Sequence, residues 1–189
     1  MSGPGGCSHN RARFPRWRAI GTIFHGWVKI KTGDVAEGIS LLRSGSSAHS
    51  ATGAEIRISF HIALLAKACE ISKQVEEALS LVDDALQLVE RIGERWLAAE
   101  LYRHKGQLLL RQGHSEAANE FYRKALTIAE EQEAKLWELR AAVSLARLRR
   151  DQGRRAEACD LLAPVYGWFT EGFDTRDLKS AKVLLDELR

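Results

Sequence analysis

The chain has 189 residues, 45% hydrophobic and 28% charged, with a formal net charge of +3. That balance is ordinary for a soluble globular protein and leaves room for one large domain or one repeat array. No apolar run reaches the roughly 18 residues of a spanning helix, so no membrane-spanning segment is expected, and no membrane partner. The N-terminus also lacks the apolar stretch of a secretory signal.

Residues 1–13 (MSGPGGCSHNRAR) combine glycine, serine and arginine with no apolar periodicity, and are expected to form a disordered basic tail. Arg11, Arg13, Arg16 and Arg18 lie in an N-terminal stretch without any acid. Removing those four from the 28 basic residues leaves 24 against 25 acidic ones, so the body of the chain is close to neutral. A nucleic-acid partner would require a basic stripe on the folded body, which is missing.

From Phe14 onward the sequence repeats every 40 residues. Gly33, Lys73, Gly113 and Gly153 occupy equivalent positions. Seven residues before them stand small residues (Gly26, Ala66, Gly106, Ala146), and five after stand others (Gly38, Ala78, Ala118, Ala158). Nine after comes a large apolar residue (Leu42, Val82, Tyr122, Leu162), and twelve after a smaller one (Gly45, Ala85, Ala125, Val165). Fixed-period self-similarity is the mark of a solenoid.

Each repeat reads as two antiparallel helices. First helices are expected near 16–32, 54–72, 95–112 and 135–152, and second helices near 34–51, 75–92, 115–132 and 155–169. Gly33, Gly113 and Gly153 fall where a left-handed C-cap residue is wanted. Asp34 with Glu37, and Thr52 with Glu55, have capping-box spacing. Gly53 and Gly93 mark the return to the next first helix. Gly26 and Gly106 lie inside helices, at a cost of about 1 kcal/mol each relative to alanine, which points to close helix approach. Trp17, Trp96 and Trp137, near the starts of first helices, are expected to pack between hairpins. Asp174-Thr-Arg-Asp177, followed by Leu178, Ala181, Leu185 and Leu188, predicts a capped amphipathic helix over the last hairpin. No comparable cap precedes Phe14, so the chain is expected to be the C-terminal part of a longer array.

The fold expected is therefore all-α: repeats at about 14–53, 54–93, 94–133 and 134–173, with a cap at 174–189. The small–large–small pattern resembles the tetratricopeptide repeat, whose small residue of the first helix matches Gly26, Ala66, Gly106 and Ala146. The period of 40 exceeds that family's 34, adding about 9 Å of helix per repeat. Repeats of this length resemble those of bacterial signal-transduction ATPases. The stretches GERWLAAELYRHKGQLLL and ELRAAVSLARLRRDQGRRAEACDLLAPVYGWFTEGFDTRDLKSAKVLLDEL resemble the C-terminal repeat region of bacterial class III adenylate or guanylate cyclase–ATPase signalling proteins. The resemblance implies a tetratricopeptide-like α-solenoid acting as a sensory or regulatory segment in the cytoplasm.

Catalysis does not carry over. The chain contains no G-x-x-x-x-G-K-[ST] phosphate cradle and no counterpart of a cyclase's metal-binding residues. The competing reading, that kinship makes this polypeptide itself a cyclase or ATPase, is separated by a turnover assay. His9, His25, His49, His61, His104 and His114 form no i, i+4 pair, and Cys7 with His9 is the one close Cys/His pairing. Three cysteines (Cys7, Cys69, Cys159), far apart, suit buried thiols in a reducing compartment. No metal and no cofactor are expected. Glu76–Glu77, Asp83–Asp84 and Glu130–Glu131 are sequence neighbours that diverge around a helix and cannot converge on one substrate.

What remains is a surface. In tetratricopeptide arrays the first helix of each hairpin lines a concave groove. The position after the small residue gives Trp27, Lys67, Gln107 and Arg147. Three before the small residue come Ile23, Ala63, Arg103 and Val143, and four after it Ile30, Glu70, Leu110 and Arg150. The groove is thus expected to be apolar at its N-terminal end and arginine-rich at its C-terminal end. It would complement a protein or peptide with acidic and hydrophobic segments. The run Arg147, Arg149, Arg150, Arg154 and Arg155 is either an anion-binding patch or charge that favours a helix C-terminus. A further reading pairs two copies through the uncapped N-terminal end.

Overall fold

The computed structural model describes residues 14–53 and 57–189. The expected basic tail at 1–13 and Glu55 lie outside the described residues, and among those described every regular element is helical. In chain order they are α1 (Pro15–Lys31), α2 (Val35–Ser50), α3 (Ile58–Ile71) and α4 (Val75–Ile92). A short 3-10 turn (Arg95–Leu97) leads into α5 (Ala98–Arg111), α6 (Ser115–Glu131), α7 (Lys135–Asp151), α8 (Arg155–Gly167) and α9 (Arg176–Leu188). The chain divides into two compact units, Met1–Leu81 and Val82–Arg189, with α4 running through the division.

The turns recur with one geometry. Gly33, Gly113 and Gly153 adopt φ of +102°, +86° and +79°. In the first turn the Gly33 N–H donates to the Ile30 carbonyl at 3.2 Å and the Asp34 N–H to the Lys29 carbonyl at 2.9 Å. The same pair of bonds closes α5 (Gly113 to Leu110, His114 to Leu109) and α7 (Gly153 to Arg150, Arg154 to Arg149). This arrangement satisfies carbonyls that a helix end leaves without partners. Lys73 makes the same turn at φ +65° without glycine's freedom, a strained position for an L side chain. On the return side Gly53, Gly93 and Glu133 have φ of +73°, +72° and +52°.

One capping expectation changes, and the other, Thr52 with Glu55, reaches outside the described residues. Asp34 stands at the N-cap of α2 but makes no side-chain cap bond. Lys29 captures both partners of the expected box, reaching Glu37 at 2.6 Å and Asp34 at 3.7 Å. The Thr52 hydroxyl donates backward to the His49 carbonyl at 2.7 Å, at the end of α2. The next helix, α3, runs from Ile58, after Arg57 in the left-handed region. Thr175 takes the N-cap of α9, also without a side-chain cap bond.

The small residues do what their periodicity implies. In the first unit a Cβ built on Gly26 would lie 2.8 Å from the Gly38 carbonyl oxygen and 2.9 Å from the Leu42 nitrogen. One on Gly45 would lie 2.9 Å from the Ile23 nitrogen, so α1 and α2 pack backbone against backbone. In the second unit a Cβ on Gly106 would meet the Tyr122 ring at 2.8 Å. Ala118, Ala125, Ala146 and Ala158 are fully buried there. The expected cap forms: Leu178, Ala181, Leu184, Leu185 and Leu188 of α9 join Leu139, Val143, Ala146 and Leu162 in one apolar cluster.

Trp17 and Trp96 depart from the expected core role. They are 66% and 43% exposed, and Trp137 is half-buried beneath the Arg140 guanidinium, 4.9 Å from its ring. The buried positions nearby are taken by Ala19 and Ile23 on α1, Ala98 and Leu101 on α5, and Leu139 and Ala141 on α7.

Candidate functional site

Each unit presents its own share of the expected first-helix surface. In the first unit Trp27 is half-buried on α1, with the Lys31 ammonium 4.7 Å above its ring. On α3 the Lys67 ammonium bonds the Glu70 carboxylate at 2.5 Å. Glu70 is only 2% exposed. A buried carboxylate is costly unless paired, so Glu70 holds Lys67 in place and does not itself face a ligand.

In the second unit Arg103 is committed to its neighbours. Its Nε and Nη2 bond the two Glu100 oxygens at 2.7 Å each, and Nη1 reaches the Gln107 amide oxygen at 3.1 Å and the Ser144 hydroxyl at 3.4 Å. Gln107 is thereby fixed at half exposure. The Arg147 Nη2 donates to the Ser180 hydroxyl of α9 at 2.6 Å. Arg150 pairs with Asp151 at 2.9 Å and with Glu187 of α9. Donating hydrogen bonds to those two carboxylates, Asp151 first, pushes the Arg150 guanidinium above its usual range.

The arginine run is therefore divided between two jobs. Arg150, and Arg155 through the Glu187 carbonyl, tie α7 and α8 to α9. Arg140 adds a two-nitrogen contact to Asp177 at 2.9 and 2.7 Å. Arg154 grips Glu157 in a fork and holds that carboxyl below its ordinary range. Burial lowers the Arg149 guanidinium. Arg147 and Arg155 are exposed and bond no carboxylate among the described residues; Arg155 is spent on the Glu187 carbonyl, whereas Arg147 bonds a neutral hydroxyl. It lines a cleft of about 260 Å³ between α7 and α9 with Arg150, Lys179, Ser180, Val183 and Glu187.

Of the apolar residues expected at the N-terminal end of the groove, Trp27 is half-buried and two others lie in the core. Ile23 and Ile30 are 0% and 4% exposed, because the face of α1 that bears them packs on α2. Val143 is likewise in the core.

A recess on the second unit escaped sequence reasoning. Tyr102 of α5 and Phe121 of α6 stack with centroids 6.1 Å apart and planes 13° from parallel. The Lys124 ammonium sits 4.1 Å above Tyr102 and the Lys105 ammonium 4.7 Å above Phe121. Lys105 also bonds Asp83 at 2.5 Å. These groups, with Leu86, Gln87 and Glu90, line a space of about 650 Å³. The available signal was an aromatic followed three residues later by lysine, in both Tyr102–Lys105 and Phe121–Lys124.

Among the described residues no group of three or more histidine, cysteine or carboxylate side chains is placed to hold a metal ion. Cys7 and His9 lie outside them. Among the described residues no helix is long and apolar enough to cross a membrane. Cys69 is buried, which raises its thiol pKa, the opposite of an activated nucleophile.

Residues 59–131 match the family model of the tetratricopeptide repeat. The fold is tetratricopeptide-like. A Podosopora anserina kinesin light chain with nearly identical tetratricopeptide-like repeats is 18% identical, with TM-score 0.70 over 90% of this chain and 85% of that one. A signal-transduction ATPase from Pyrococcus horikoshii, with a tetratricopeptide repeat sensor, is 15% identical at TM-score 0.76. That likeness covers 94% of this chain but only 28% of the ATPase. The apo form of RapI is 15% identical at TM-score 0.73, over 92% of this chain and 48% of that one. No curated protein matches the chain in sequence. Tetratricopeptide-like repeats are protein-interaction modules, a role that needs no catalytic constellation.

Proposed function

We propose that the protein is a non-catalytic module that binds a protein or peptide, as the sensory or regulatory segment of a bacterial cyclase–ATPase signalling protein in the cytoplasm. In this reading residues 14–189 act as one repeat domain. The observation that carries it is the row on α5, α7 and α9. Gln107, Arg147 and Ser180 stand at the surface on helices whose inward faces are fully packed. Arg147, with Lys179 beside it and Val183 exposed nearby, favours a segment with a carboxylate next to an apolar side chain. Arg103 and Arg150 act as the frame that fixes the row. In the first unit Trp27 and Lys67 are the ligand-facing groups, Lys67 being held by Glu70.

The structure also selects the variant. Reversing Arg103 together with Arg147 would put a new carboxylate against Glu100 and confuse lost binding with lost stability. Arg147→Glu alone avoids this. The test is to select peptides on the purified protein by display and titrate the tightest by calorimetry. Arg147→Glu should weaken it at least about tenfold, as expected for a charged hot spot, with the circular dichroism unchanged. Cyclisation or hydrolysis of ATP or GTP by the purified chain would sink the reading.

A further inference from the structure

We infer that the outward face of α1 is a docking seam for a helix of another polypeptide that carries an apolar heptad stripe flanked by carboxylates. One face of α1 is spent on α2 through Ala19, Ile23, Gly26 and Ile30. Large apolar side chains stand on the opposite face, in water. Trp17 is 66%, Phe24 46% and Val28 56% exposed, and Phe14 at the N-cap prolongs the stripe at 66%.

The spacing 14, 17, 21, 24, 28 alternates three and four residues, the seam of a coiled coil. Position 21 of that seam is glycine. A Cβ built there meets nothing within 4 Å, so a notch lies open between Trp17 and Phe24. A knob from an approaching helix would fill it.

Charge chooses the partner. The first acidic residue of the whole chain is Asp34, and Arg11, Arg13, Arg16, Arg18, Lys29 and Lys31 all precede it. Arg18 and His25 occupy the heptad position beside the seam where partner charges meet. Lys29 is already engaged by Glu37, and Lys31 covers Trp27. Two copies of α1 would bring like charges together along the seam, whereas carboxylates on the incoming helix would complement them. A bilayer surface would also accept basic residues and tryptophan. It calls for a broad apolar face, however, and gains nothing from a notch.

The test uses the full chain and a synthetic four-heptad peptide with leucine at both seam positions and glutamate at the flanking ones. Its lysine-flanked counterpart is the control. Calorimetry should show binding of the acidic peptide only. Trp17→Gln with Phe24→Gln, both exposed and so harmless to folding, should weaken it at least about tenfold, a loss typical of aromatic anchors. Arg18→Glu should weaken the acidic peptide and favour the lysine-flanked one. Circular dichroism confirms that each variant is folded. Equal affinity across the variants, or no binding, overturns the inference. So does self-association of the protein that Arg18→Glu leaves intact, measured by ultracentrifugation. Capture by phosphatidylglycerol vesicles with no peptide binding overturns it as well. None of these outcomes touches the peptide reading of α5 and α7, which Arg147→Glu tests separately.

Discussion

Gly26→Ala sets two quantities against each other. Replacing a mid-helix glycine by alanine favours the helix by about 1 kcal/mol. Against this, the new Cβ would sit 2.8 Å from the Gly38 carbonyl oxygen, 2.9 Å from the Leu42 nitrogen and 3.0 Å from the Leu41 Cβ. The first two are backbone atoms and cannot rotate away, so α2 must withdraw by about 0.5 Å to restore ordinary contact, and overpacking of this kind costs about 1–3 kcal/mol. The net expectation is a loss of about 1 kcal/mol, with the clash outweighing propensity. Gly106→Ala is the internal control. Its Cβ meets ring carbons of Tyr122 at 2.8 Å, and its nearest backbone atom, the Ala118 oxygen, lies further off at 3.1 Å, so its loss should be smaller than that of Gly26→Ala. Urea unfolding followed by circular dichroism, with midpoint and slope compared for both variants, reads the difference. Stabilisation by Gly26→Ala would refute the close packing of α1 on α2.

Three other outcomes follow from the same structure. Lys73→Gly should raise the urea midpoint, worth about 0.5–1 kcal/mol, because it removes a left-handed L residue from a turn that uses glycine in the other repeats; an unchanged or lower midpoint contradicts the strain. His49 is 1% exposed with its ring 4.7 Å from that of His61, and burial, then the Arg16 charge, lowers its pKa from 6.5. The unfolded chain therefore takes up the proton first, so stability should be full above pH 6.5 and fall as the pH drops below it. Urea midpoints between pH 8 and pH 5 test this, and His49→Phe should flatten the profile. Asp177→Asn should loosen α9 by about 0.5–1 kcal/mol, since the contact with Arg140 is only partly exposed. It should appear as faster amide exchange within α9 while α5 is unaffected.

The helical hairpins were legible because helix ends and helix contacts obey local rules. Glycine at a left-handed C-cap and a small residue where backbones meet are demands of geometry, and they recur at Gly33, Gly113 and Gly153 and at Gly26 and Gly106. The same logic placed α9 on the last hairpin. The Asp34–Glu37 box gave way because a lysine on the preceding helix can engage both carboxylates, as Lys29 does. The tryptophans were misjudged because hydrophobicity does not say which face of a helix is already full; Ala19 and Ile23 fill it and Trp17 is left outside. Composition marked the C-terminal half as arginine-rich but not which carboxylates would meet those arginines. Asp177 and Glu187, on a helix 37 residues further along, take up Arg140 and Arg150. The stacked Tyr102–Phe121 pair belongs to two helices and no single periodicity shows it.

The central claim is that the polar row of α5 and α7 binds a peptide without turnover. Its most direct measurement is a calorimetric titration of the display-selected peptide into the wild-type chain and into Arg147→Glu, both checked for intact helicity. Stoichiometric binding to the wild type and at least about tenfold weaker binding to the variant is the predicted result. Equal affinity for the two proteins would contradict it.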